Sequence, residues 1–164
     1  MSTDPANMQS ATARRAAETQ LRGLVTKFSP AHQRLVAATR RWLRQRLPTS
    51  IEIVYEYRDC FVVSFSPNHH GYEGIFALRG DANGLKLYFN RGKGMPDPEK
   101  LLQGKVGQTR WIPLVSASTL THPPVVALVD QAIARNRVPF APTGRGQVIV
   151  RSSATKPAGK RRAK

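Results

Sequence analysis

The sequence predicts an α+β fold: a two-layer sandwich in which an antiparallel sheet of five or six strands carries N- and C-terminal helices packed on one face. Three observations predict it. Helix-period apolar stripes occur early and late in the chain, and short period-two runs fill the middle. Turn residues separate those runs at hairpin spacing.

Residues 1–10 are polar and aperiodic. Residues 11–28 are rich in Ala, Arg, Glu, Gln and Leu and predict one helix, weakened at Gly23. A stronger helix follows over residues 31–47. Ser29 can cap it, Pro30 suits its first turn, and Pro48 stops it. On a helical wheel Leu35, Thr39, Trp42, Leu43 and Leu47 share one side. Arg34, Arg40, Arg41 and Arg44 form a basic stripe on another, with Arg46 landing on the apolar side.

In "IEIVYEYRD", Ile51, Ile53, Tyr55 and Tyr57 alternate with Glu52 and Glu56, the pattern of a half-buried strand whose isoleucines and tyrosines face the core. Residues 60–65 make a second strand after the short Arg58-Asp59 turn. Residues 72–78 and 85–89 make a third and fourth, joined through Asn83-Gly84. Residues 110–114 make a fifth, marked as an edge or strand end by Pro113. After Leu120, "THPPVVALVDQAIARN" predicts a helix, with prolines at its start and Val125, Val126, Leu128, Val129, Ala132 and Ile133 as its apolar stripe. "RGQVIVRS" offers a short sixth strand. The organisation expected is a flexible N-terminus over residues 1–17, one domain over 18–152, and a disordered basic tail over 153–164.

The net charge is +16, from 26 Lys and Arg against 10 Asp and Glu. No acid follows Asp130, whereas Arg135, Arg137, Arg145, Arg151, Lys156, Lys160, Arg161, Arg162 and Lys164 do. Over half of the net charge therefore lies in the last fifth of the chain. Such a field attracts polyanions. One cysteine, Cys60 in an apolar run, excludes an internal disulfide and a multi-cysteine metal site. No apolar stretch approaches the ~18 residues of a membrane span. The N-terminus has no secretory apolar segment. A cytoplasmic protein without membrane contact is expected.

Three stretches together, "YEYRDCFVVSFSP", "LYFNRGKGMPDPEKLLQGKVGQTRWIPL" and "GRGQVIVRSSATKPAGKRRAK", resemble the YdhG-like domain family, most of whose members have no assigned function. The most specific part is the loop around Pro96-Asp97-Pro98 with Leu101-Leu102-Gln103-Gly104. The resemblance implies a frataxin-like helix–sheet–helix sandwich. Because a few relatives are regarded as iron chaperones, it also implies an iron-binding or iron-delivery role as the alternative function.

The candidate sites follow from residue chemistry. Gly92-Lys93-Gly94 resembles a phosphate loop only superficially. The following Met95-Pro96-Asp97-Pro98 removes backbone donors and adds an acid, so the loop is expected to connect strands through a short helical turn at 99–103. No anion-binding role is expected of Lys93. Residues 31–47 hold no Asp or Glu and five arginines, so no metal site is expected there. His69 and His70 read as a polar turn, His32 and His122 as structural, and Trp42 and Trp111 as core. Glu52 and Glu56 lie too far apart along one strand for paired-carboxylate catalysis, and no nucleophile–base constellation appears. The expected function is non-enzymatic and cofactor-free: a binding or adaptor domain with weak, non-specific affinity for nucleic acid or another polyanion. Arg145, Arg151, Lys156, Lys160, Arg161, Arg162 and Lys164, with Arg34, Arg41 and Arg44 on the second helix, would neutralise phosphates. A small-ligand binder or enzyme on the exposed sheet face would rest on Tyr55, Tyr57 and Arg110.

Overall fold

The computed structural model describes residues 8–152. Helix α1 (Ala11–Val25) begins where Ser10 accepts the Ala13 N–H at 3.0 Å. Helix α2 (Pro30–Arg46) begins where Ser29 accepts that of His32 at 3.2 Å, with Pro30 in the first turn. Helix α3 (Pro123–Ala134) opens on two prolines, which have no N–H to leave unsatisfied. Strands β1 (Ile51–Glu56), β2 (Cys60–Ser66), β3 (Phe76–Asp81), β4 (Gly84–Phe89), β5 (Arg110–Leu114) and β6 (Gln147–Ser152) form one open six-stranded sheet, ordered β5-β4-β3-β2-β1-β6. Among the described residues, no helix is long and apolar enough to cross a membrane.

The first five strands pair antiparallel with their neighbours, but β6 runs parallel to β1, with Val54 opposite Val150. The sheet is therefore mixed, which corrects the expectation of a purely antiparallel one. The reason is topological. β5 and β6 lie at opposite edges, and the chain returns between them through a 3-10 turn (Ala117–Thr121) and α3. A strand delivered by such a crossover can run parallel to its neighbour.

The core gathers Leu21, Leu24 and Val25 of α1, Val36 and Leu43 of α2, and Val125, Leu128 and Val129 of α3. Against them lies one alternation of the strands: Val54, Phe61, Val63, Phe65, Phe76, Leu78, Leu85, Leu87, Phe89, Ile112, Leu114 and Val148. Phe76 and Phe89 meet edge to face, with ring centroids 5.5 Å apart. At the β3–β4 hairpin Gly84 takes φ 130°, a conformation open to glycine at little cost.

Four expectations change. In β1 the phase is reversed, because Glu52 and Val54 share the core side and Ile51 and Ile53 point to the opposite face. Both isoleucines are nonetheless buried. The segment between β2 and β3 returns over that face: Ser64 Oγ donates to Gly71 O and Ser66 Oγ to His70 O. The Tyr55 hydroxyl stands where a Cβ on Gly71 would be, so a side chain there would have to push the tyrosine aside. The expected start of the third strand at Tyr72 is instead a 3-10 turn (Gly71–Glu73) with Tyr72 exposed. The helical turn expected at 99–103 is absent. The Asp97 carboxylate accepts the N–H groups of Leu101 and Leu102, and Gln103 pairs with Trp111 as an extension of the sheet. Finally, the boundary at residue 17 falls inside α1. Gln9 just before the helix clamps the edge of β6: its amide donates to Val148 O at 2.6 Å and accepts from Val148 N at 2.9 Å. An edge strand whose backbone groups are satisfied by a side chain is a poorer template for another strand.

Candidate functional site

The arginine stripe of α2 divides in two. Arg40 is buried, donating from Nε to Glu52 Oε1 at 2.8 Å and from Nη1 and Nη2 to the two oxygens of Glu18 at 3.0 and 2.8 Å. Arg44 donates to Glu52 Oε2 and to Glu18 Oε1, both at 2.5 Å. Two acids and two arginines thus tie α1, α2 and β1 together. Burial alone pushes the Glu18 carboxyl up, but the hydrogen bonds and charges of Arg40 and Arg44 outweigh it and hold its pKa at about 2. Burial would likewise lower the Arg40 guanidinium, and the two glutamates more than offset it. Arg34 and Arg41 remain exposed on α2, two helical turns or roughly 10 Å apart. Arg46 bonds Asp130 of α3 and lies 4.4 Å over the Trp42 ring.

Two of the expected site residues meet at the β6 edge. Arg44 and Arg145 line one cleft with Pro48, Ser50, Glu52, Gly144 and Gly146, and Arg14 of α1 joins them. Arg14 donates to Gly146 O at 2.6 Å, which holds it beside the start of β6. Arg145 and Arg151 are exposed, and Arg151 donates to His69 O at 2.8 Å. Neither has a carboxylate within ion-pair distance among the described residues. Lys156, Lys160, Arg161, Arg162 and Lys164 lie outside the described residues. Sequence reasoning missed Arg14. Its partner is 132 positions away, so no local pattern signals it.

Other expectations resolve differently. His69 Nε2 lies 3.2 Å from Gln147 Oε1, which places that residue against the sheet edge while His70 stays exposed. Trp111 is half-buried on the face away from the helices, so it is no core residue. It sits 6.3 Å from Tyr88 between ring centroids, with Lys86 Nζ 4.2 Å over its ring. Tyr55 and Tyr57 lie at β1 and Arg110 at β5, separated by three strands. That is roughly 19 Å across the sheet, too far for one small-molecule site. Cys60 is buried, and burial pushes its thiol up, away from the thiolate a nucleophile needs.

The acids with the oxygen donors a hard cation needs are engaged elsewhere, since Glu18 and Glu52 give their oxygens to arginines. Among the described residues no group of three or more His, Cys, Asp or Glu side chains is placed to hold a metal ion. An anaerobic Fe²⁺ titration against a competing chelator is expected to show no tight stoichiometric complex at neutral pH. Iron retained one-to-one through gel filtration would reverse that expectation. No protein-family model, curated protein or solved structure matches the chain.

Proposed function

We propose that this chain is a cytoplasmic, non-enzymatic binding domain for single-stranded nucleic acid or a similar polyanion, held by charge and with little preference for sequence. The observation that carries this reading is the meeting of Arg14 and Arg145 at one edge of the sheet, beside Arg44, whose own charge is already matched by Glu18 and Glu52. From there β6 leads through Arg151 into the five basic residues of 153–164. A run of cations along the sequence suits a flexible phosphate backbone, whose bound counterions are released on contact. On the open sheet face, Tyr88 and Trp111 beside Lys86 and Arg79 add aromatic surface on which bases can stack. The YdhG-like, frataxin-like sandwich is part of the same proposal, supported by the order of helices and strands and by a core between helices and one sheet face. Iron delivery is the weaker reading, because Glu18 and Glu52 are neutralised within the fold.

The double variant Arg145→Gln/Arg151→Gln tests the proposal. If each arginine reaches one phosphate, the slope of log affinity against log salt for a single-stranded oligonucleotide should fall by roughly 1.4. An unchanged affinity and slope in that variant would remove the β6 edge from the binding surface.

A further inference from the structure

The loop after β4 connects strands, as expected, and its backbone makes no phosphate cradle. Its side chains take part in something larger. Arg91 and Lys93 line a cleft whose opposite wall is the end of α3 and the residues after it, with Arg135, Asn136 and Arg137. Gln131 of α3 donates to Pro96 O at 3.5 Å, which ties the walls together, and within the loop Lys93 N donates to Gln108 O at 2.9 Å. Ile75, Phe89 and Met95, all buried, form the floor. The volume is about 160 Å³.

Three features distinguish this cleft from ordinary basic surface. Four cations line it and no carboxylate does. None of the four has an ion-pair partner among the described residues, although Arg40, Arg44 and Arg46 all found acids within the fold. The floor is apolar and closed, which keeps water from screening the charges from below and strengthens their action on a bound anion. Concentrating four like charges there costs folding energy unless an anion relieves it. Volume then selects the anion. A whole drug-sized ligand needs a pocket of about 300 Å³ or more. A cleft of this size takes a compact, multiply charged headgroup and leaves the rest of the molecule outside. Guanidinium forks match phosphate oxygens in geometry as well as charge.

We propose that this cleft binds the diphosphate group of a small phosphorylated molecule, with Arg91, Lys93, Arg135 and Arg137 as its ligands. The site is separate from the β6 edge, and its success or failure does not depend on the nucleic-acid reading. Lys93 gains its role only because α3 brings Arg135 and Arg137 to it.

The test is calorimetric titration of the full chain with pyrophosphate, ADP and inorganic phosphate at about 50 mM salt, where screening is modest. Pyrophosphate and ADP should bind one-to-one, and inorganic phosphate about tenfold more weakly or worse because it offers one phosphate in place of two. Lys93→Ala/Arg135→Gln should lower ADP affinity about tenfold or more, with the melting temperature of the free protein held or slightly raised, since both side chains are exposed and two like charges are removed. Arg15→Gln/Arg58→Gln removes the same charge from exposed positions outside the cleft and should leave ADP binding intact. No ADP or pyrophosphate binding at millimolar concentration would overturn the proposal. Equal weakening by the two double variants would also overturn it, by reducing the effect to net charge.

Discussion

Replacing Glu52 with alanine is expected to destabilise the domain by about 3 kcal/mol, the low end of the range for stranding one partner of a buried ion pair. Glu52 is 2% exposed, and both its oxygens are occupied, one by Arg40 and one by Arg44. The variant leaves the buried Arg40 Nε–H with no acceptor in the place of the carboxylate. Glu18 still faces Arg40 and Arg44, which keeps the loss from being larger. Urea unfolding at neutral pH measures it. A loss under about 1 kcal/mol would mean that the arginines swing out and rehydrate. The same cluster sets an acid limit. Glu18 has its pKa lowered from 4.5 to about 2. Its contribution is therefore fully present above pH 4.5 and is lost as pH falls towards 2. In the wild type, denaturant midpoints should drop across that window, and a Glu18→Gln variant should lose most of this dependence.

Deleting residues 153–164 is expected to weaken oligonucleotide binding by roughly ten- to a hundredfold at low salt, if about two to four of the five lost charges reach phosphates. The contacts would displace counterions, so the salt slope should shrink with the deletion while discrimination between base sequences stays small. The melting temperature should hardly change, because the removed segment has no apolar periodicity with which to join the core. Filter binding at several salt concentrations, beside a thermal melt, gives both readings. Two results count against the idea: a full-length chain that binds no nucleic acid at ~50 mM salt, or a truncation that binds as well as the whole. The second would move the function to Arg14 and Arg145, or to the exposed pair Arg34 and Arg41.

Much of the fold was legible because its signals are local. Ser29-Pro30 starts α2, the prolines start α3, and Asn83-Gly84 turns β3 into β4, each through groups within a few residues of one another. The alternation in β1, and the apolar run of β2 after the Arg58-Asp59 turn, likewise marked strands without reference to anything distant. Three matters were not local. Alternation says that the two faces of β1 differ, not which one meets the helices. Glu52 could turn inward because Arg40 and Arg44 were there to receive it, and the isoleucines could turn outward because residues 67–74 cover them. The helical wheel grouped Arg34, Arg40, Arg41 and Arg44 by angle, but Glu18 and Glu52 decided which were buried and which stayed in solvent. The direction of β6, and with it the places of Arg145 and Arg151, came from the return of the chain across the sheet. By itself the sequence determined most of the helices and strands, the starts of α2 and α3, and the excess of positive charge. Only the tertiary structure decided which charges are spent inside the fold, because a buried charge is stable only beside its counter-charge, and those partners come from elements far apart in the chain.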